Sequence, residues 1–322
     1  MSFSSYPRPI AWRGNIVFER SARFNQSLEA LLRAMAEGYQ PDKSDDILRR
    51  DLHRELELES GVVVHDSPTL KSLSAAPFRA LFNEFCLWFG IPVSINKQGH
   101  YLKEVRDHGV RDSLNMPQRG HLTNQELAFH SDRADITMLG CWSPAARGGA
   151  FRIRSSADVV LQAEQRQFTW LSHLKKPIPH DLRDEGDQSW IALPLLSENH
   201  DQFVLRYIRK FNDSVVRHGI EQAQEINQML ADIDSIVEQP GHYAELNLSK
   251  GMLVMVNNHI TLHARTCFEN DEKHERCLLR CWLSSEFTRP LPTSFLPLFH
   301  SVDAGTLRGG VLTDKTWCSD AE

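Results

Sequence analysis

No apolar run in this 322-residue sequence approaches the roughly 20 residues a membrane-spanning helix needs; the longest, such as Met252 to Val256, stop far short. The N-terminal segment carries no apolar stretch of signal-peptide length, so no membrane association is expected and the expected address is the cytoplasm. Basic excess is missing too: 36 Lys and Arg stand against 42 Asp and Glu, a net charge of −6, which disfavours a counterion-release grip on nucleic acid. Six cysteines without one C-x-x-C pair give neither a disulfide framework nor a zinc ribbon. No G-x-G-x-x-G, G-x-x-x-x-G-K or G-x-S-x-G occurs, so Rossmann, P-loop and α/β-hydrolase folds lose their main support. Internal repeats are absent, as are Pro/Gly/Ser-rich linkers, and one domain is expected.

What is present is an ordinary globular balance, 41% apolar with 24% charged residues. Leu28, Leu31, Leu32 and Met35 recur at helical spacing up to Gly38. From Pro77 to Gly90 a second helix places Phe78, Leu81, Phe82, Phe85 and Phe89 on one stripe. A third is expected from about Ile220 to Val237. Short β-branched segments lie between and after them: 61–65, 91–95, 135–142, 150–154, 190–196, 203–207, 252–257 and 277–283. So many short strands with few long helices after residue 90 predict an α+β chain with a mainly β core, a sandwich or barrel.

Three segments carry chemistry. In Leu127-Ala-Phe-His130-Ser-Asp132-Arg-Ala-Asp135, an extended backbone puts His130 and Asp132 on one face, two legs of a metal site. Non-haem iron(II) sites add a second imidazole and leave the opposite positions open. His259 and His263 both qualify, and periodicity leaves them tied because 259, 261 and 263 share a strand face. Third, 276–283 read as a strand has an apolar face (Cys277, Leu279, Cys281, Leu283) and a face with Arg276, Leu278, Arg280 and Trp282. Arginine's donor fork matches a carboxylate bidentately, so two of them just after a metal-binding histidine fit a dicarboxylate.

Taken together, these blocks resemble the taurine dioxygenase/TfdA-like family of iron(II)- and 2-oxoglutarate-dependent oxygenases. The similar stretches are Glu126–Asp135, then Cys141–Ala145 with Arg147-Gly148-Gly149, then Asn257–Arg265, Arg276–Leu283 and Arg289-Pro-Leu-Pro292. The resemblance, which extends from about residue 60 to 295, implies that this core is a double-stranded β-helix, or jelly roll, flanked by helices; a helical lead-in over about 1–60 is expected before it and a C-terminal tail, 296–322, after it. It implies His130, Asp132 and His263 as the iron ligands, breaking the tie with His259. It also implies Arg276 on the far carboxylate of 2-oxoglutarate and Arg280 on an anionic group of the substrate. Glu126 is a further substrate-binding candidate; it, His121 and Tyr101 fit a substrate pocket and an exposed loop or helix end equally well.

The implied cofactor is Fe(II), with 2-oxoglutarate and O₂ as cosubstrates, and no catalytic residue beyond the metal ligands. The implied reaction oxidises an unactivated C–H bond of a small polar substrate, an amino acid or a related carboxylate or sulfonate, with release of succinate and CO₂. One departure stands out. Where the family carries a Ser or Thr hydroxyl toward 2-oxoglutarate, this chain has Phe151, which leaves that contact to Ser155, to another group or to Arg276 alone. Two other readings fit the residues: a jelly-roll metal dioxygenase that does not use 2-oxoglutarate, and a ligand-binding relative without turnover.

Overall fold

A computed structural model describes residues 3–43, 47–111, 122–183, 188–311 and 318–319. Two sheets form its centre. The larger runs in the order β1 (Val62–Asp66), β13 (Met252–Asn257), β5 (Ile136–Ser143), β16 (Cys277–Ser284), β3 (His100–Val105) and β17 (Cys318–Ser319), with β2 (Ile91–Val93) also on β16. In the smaller the order is β12 (Ala244–Leu246), β7 (Phe151–Ser155), β14 (Thr261–Arg265) and β4 (Leu127–His130). Both are antiparallel in every pair but β3 with β17. Three two-stranded pieces complete it: β6 (Arg147–Gly148) with β15 (Phe268–Glu269), β8 (Ile178–Asp181) with β9 (Trp190–Leu193), and β10 (Leu196–Glu198) with β11 (Phe203–Leu205).

Strand alternation sorts the core into layers. Leu139, Cys141, Val254, Val256 and Leu278 of the large sheet meet Phe151, Ile153 and Ala244 of the small one, which makes the pair a jelly roll. The odd-and-even partners Ile136, Met138, Leu253, Met255, Leu279, Cys281 and Leu283 face outward. There they pack under α2 (Asn25–Ala36), α3 (Ile47–Leu58) and α5 (Ala75–Phe89). Gly140 belongs to that outer face, and a Cβ on it would stand 2.6 Å from the Phe82 ring, so only glycine lets α5 seat so closely. Leu262 and Ala264 on the back of β14 are covered by α6 (Ser156–Gln165) and α8 (Gln224–Val237). The short helices α1 (Ile16–Ala22), α4 (Pro68–Ser72), α7 (Arg209–Asp213) and α9 (Leu296–Phe299) fill the ends.

Several expectations need adjusting. The strand expected over 190–196 is two, because Pro194, without an N–H, cannot extend a ladder, and β9 and β10 pair with different partners. The third helix begins at Gln224 rather than Ile220, since Gly219 at φ 72° closes the turn before it. Asp132 is not on a strand with His130: β4 ends at His130, and Asp132 sits in the following loop.

α3 was not visible in the sequence, because it buries Arg49, His53, Glu55 and Glu57 alongside Leu52 and Leu56. His53 is stacked between Phe89 (4.1 Å) and Phe287 (4.7 Å) and its Nε2–H donates to the Phe89 carbonyl at 3.0 Å. Burial pushes its pKa down to about 3. The unfolded chain takes up that proton near pH 6.5, so between those values the unfolded state binds more protons. The stability that neutral His53 contributes is therefore full above pH 6.5 and declines as the pH falls. Thermal unfolding followed from pH 7 to pH 5 is expected to show a falling midpoint, with a shallower slope in His53→Gln. An unchanged slope would remove His53 from the acid response.

Candidate metal centre

The small sheet brings the two histidines together. His263 is in its middle, paired across the ladder with His130 on one side and Ile153 on the other. Alternation turns His263 inward while Leu262 and Ala264 point out. The imidazole centroids of His130 and His263 are 4.4 Å apart. Asp132 reaches the same point from its loop: His130 Nε2 is 3.8 Å from Oδ1 and His263 Nε2 is 3.6 Å from Oδ2. One ligand atom from each residue falls within 4.8 Å of the other two. Bonds of about 2.1 Å to one ion put neighbouring ligand atoms roughly 3–4 Å apart, so the three fit a single cation.

Surrounding groups fix the ligand forms. The His130 Nδ1–H donates to the Ala128 carbonyl at 2.8 Å, which leaves the Nε2 lone pair for a metal. Asp132 Oδ2 accepts from Thr137 Oγ1 (2.8 Å) and Trp282 Nε1 (2.9 Å), and its backbone N–H donates to Asn258 Oδ1 (3.1 Å). Asn258 Nδ2 in turn donates to Thr137 Oγ1 at 3.0 Å, so the carboxylate is held on two sides. Burial opposes the charge on Asp132, yet His263, Arg280 and His130 beside it hold its pKa below the usual carboxylate value. Burial, with His130 adding to it, pushes His263 down to about 3. An ionised carboxylate and a neutral imidazole are the forms that bind a metal. His263 Nδ1 is buried without a hydrogen-bond partner among the described residues. The donor set therefore fits a ferrous ion.

His259 belongs elsewhere. Its Nε2 is 2.7 Å from Asp135 Oδ1, and Asp135 also accepts from Arg308 Nε (2.9 Å) and Ser284 Oγ (3.0 Å). Asp135 is thus a buried structural acid, and the tie between the two histidines resolves toward His263.

β16 presents Arg280 and Trp282 to the metal side, as its alternation predicts. A cavity of about 290 Å³ is lined by His130, Asp132, Arg280 and Trp282, and Glu126 stands exposed at its rim, 3.9 Å from Arg152. That volume suits a small metabolite. Arg280 stacks 5.0 Å over Trp282, and its buried Nε has no partner among the described residues. Arg276 lines a different cavity, at the double-glycine turn, with its guanidinium 5.0 Å over Phe268 and a buried Nη1 also unpartnered. That turn requires its glycines: both have φ near +70°, and a Cβ on Gly148 would fall 2.3 Å from the Cys267 carbonyl.

Phe151 is buried with its ring 5.6 Å from that of His263, so no hydroxyl faces the site from that position. Ser155 does not replace it, because its Oγ caps α6 by accepting from the Asp158 N–H at 3.3 Å. Tyr101 packs against the helix-covered core instead of the cavity, and His121 lies outside the described residues. Sequence reasoning missed Thr137, Asn258, His180 and Arg206. Only Trp282, on the arginine face of β16, had announced itself.

Residues 27–282 match the family described as taurine catabolism dioxygenase TauD, TfdA family. FR-33289 synthase of Streptomyces rubellomurinus (strain ATCC 31215) is 26% identical over 249 residues, covering 74% of each chain. Among solved structures, an asparagine oxygenase in complex with Fe(II), 3-hydroxyasparagine and succinate superposes at a TM-score of 0.57, with 16% identity over 80% of this chain and 90% of that one. The non-haem iron oxygenase OrfP, in complex with Fe and α-ketoglutaric acid, gives 0.53 at 16% identity, over 86% and 87%. These two likenesses show a shared fold. With a match across most of its length and the His130–Asp132–His263 cluster at its centre, the chain belongs to the TauD/TfdA family of dioxygenases.

Proposed function

We propose that the protein is an Fe(II)- and 2-oxoglutarate-dependent dioxygenase that hydroxylates a C–H bond of a small, anionic, amino-acid-sized molecule in the cytoplasm. The observation that carries this reading is one buried carboxylate and two imidazoles meeting within ligand distance inside a jelly roll. Hydroxylated amino acids bound in the asparagine oxygenase and OrfP support the substrate size, as does the cavity volume. Among the described residues no helix is long and apolar enough to cross a membrane, and five cysteines are free thiols.

His130, Asp132 and His263 would hold the iron, which with 2-oxoglutarate and O₂ supplies the oxidation: one oxygen atom goes to the product hydroxyl, the other to succinate, and CO₂ leaves. The chain's own part is positional. Thr137, Trp282 and Asn258 keep the Asp132 carboxylate aimed, and the Ala128 carbonyl keeps His130 in the metal-binding tautomer. Arg276 is assigned to the far carboxylate of 2-oxoglutarate on its unpartnered Nη1 and its stacking on Phe268, an assignment that requires the cavity at the double-glycine turn to open to the one beside the metal ligands. Arg280, on the metal side of β16, is assigned to the substrate's anionic group, and Glu126 to the cavity mouth.

Succinate formation from 2-oxoglutarate with Fe(II) and ascorbate tests the reading. Arg276→Met is expected to raise the 2-oxoglutarate concentration for half-maximal turnover roughly 30-fold or more, the cost of removing one partner of a buried charge pair. Oxygen consumption indifferent both to 2-oxoglutarate and to that substitution would instead favour a jelly-roll dioxygenase of another kind.

A further inference from the structure

The cavity beside the metal ligands has a second polar wall that the dioxygenase reading leaves unused. His180 on β8 and Arg206, which follows β11, form it, with Arg133 behind them. Arg206 is 5% exposed; its Nη1 donates to the Asp132 carbonyl at 3.1 Å, while its Nε has no partner. His180 is 4% exposed and its Nε2 is likewise unpartnered. Its nearest ring neighbour is Phe211, at 5.4 Å. Among the described residues no acid forms an ion pair with Arg206. Asp132 turns its Oδ2 to Thr137 and Trp282, and Asp181, the other buried acid of the wall, is occupied by Ser214, Arg217 and His218.

A guanidinium so deeply buried with no ion pair, and only the charge of Asp132 beyond ion-pair distance in its favour, is costly to the fold, and so is a buried ring nitrogen without a hydrogen bond. Both costs are relieved by the same event, the arrival of an oxyanion. A planar carboxylate is satisfied by one arginine fork. Here a fork and an imidazole come from two different elements, and a second arginine charge lies close to both: burial and then Arg133 lower the pKa of Arg206 against the opposing pull of Asp132, and burial, Arg206 and then Arg133 lower that of His180 against Asp181. Donors from separate directions and more than one positive charge match a group with three oxygens and two negative charges.

We propose that Arg206 and His180 form a subsite, separate from Arg280, that grips a tetrahedral dianionic head group of the phosphate or phosphonate kind on the substrate. The proposal rests on the dioxygenase reading only for the bond that is oxidised; the anion site itself exists in the metal-free chain. It narrows the substrate from small anions in general to those that end in a phosphoryl or phosphonyl group.

Inorganic phosphate is the probe. Calorimetric titration into the full chain, with and without Mn(II) and 2-oxoglutarate, is expected to show one saturable site per chain that acetate does not displace. Arg206→Met is expected to weaken phosphate binding about tenfold or more, and Arg206→Lys, which keeps the charge, to restore part of it. His180→Leu leaves the Arg206–Asp132 carbonyl bond in place and is expected to weaken binding severalfold, which decides the matter if Arg206→Met does not fold. Wild-type protein without a phosphate site, equal affinity in wild type and both neutral variants (an adventitious ion only), or full displacement by acetate would each overturn the proposal. Mn(II) and 2-oxoglutarate binding are read in the same titrations and report on the iron-oxygenase reading independently.

Discussion

Asp132→Ala is expected to lower succinate formation by more than about 100-fold, a larger loss than mutations behind a metal ligand usually bring. The carboxylate is the only anionic group among the three ligands, so without it a divalent cation faces two neutral rings. Its oxygens also set the geometry, since Thr137 and Trp282 fix one of them while the other lies toward His130. Stability is expected to change far less. In the metal-free chain the substitution removes a charge that burial disfavours but that its neighbours, Arg280 among them, more than offset, and it leaves two donors unpartnered, for a net cost of about 1–3 kcal/mol. Comparing succinate release, metal content and the unfolding midpoint of this variant separates the two effects. Near-normal turnover with an intact fold would contradict the ligand assignment.

The largest expected effect on stability lies behind the site, in a buried chain of charges. Glu57 on α3 accepts from Arg289 Nε at 3.0 Å, Arg308 Nη2 donates to the Arg289 carbonyl at 2.5 Å, and Arg308 Nε donates to Asp135 at 2.9 Å. All four residues are essentially inaccessible to solvent. The segment after β16 is thereby tied to the helical layer and to the loop that carries Asp132. Arg308→Met strands Asp135 as a buried carboxylate with only His259 and Ser284 for support. The expected loss is about 3–5 kcal/mol. That corresponds to roughly 10 °C in unfolding midpoint. Adding Asp135→Asn to Arg308→Met is expected to return part of it, because the stranded charge is then gone; a double variant no better than the single one would place the loss in packing instead.

How far the sequence disclosed this arrangement depends on the range of each interaction. Strand 277–284 was legible to within a residue at either end, Arg276 falling just outside it, because its outer face meets helices and its inner face meets the metal site, and period-2 alternation records both. His130 and Asp132 were legible as neighbours, though a loop rather than a shared strand makes them converge. Choosing His263 over His259 needed either the resemblance or the sight of Asp135, 124 positions from His259. Arg206 and Arg308 left no trace, since what each does depends on groups 74 and 173 positions away and neither sits in a periodic pattern. α3 and α6 escaped because they bury charged and polar side chains that find partners only in the folded chain. Phe151 was visible as a departure, and burial beside His263 gives it a packing role in place of a hydrogen bond.

Counting bound Mn(II) per chain, by calorimetry under anaerobic conditions, addresses the three-ligand cluster most directly. Wild type and a folded His259→Gln protein are predicted to bind one equivalent each, and His263→Gln to bind none at the same concentrations. Metal retained in His263→Gln and lost in His259→Gln would reverse the assignment and with it the site.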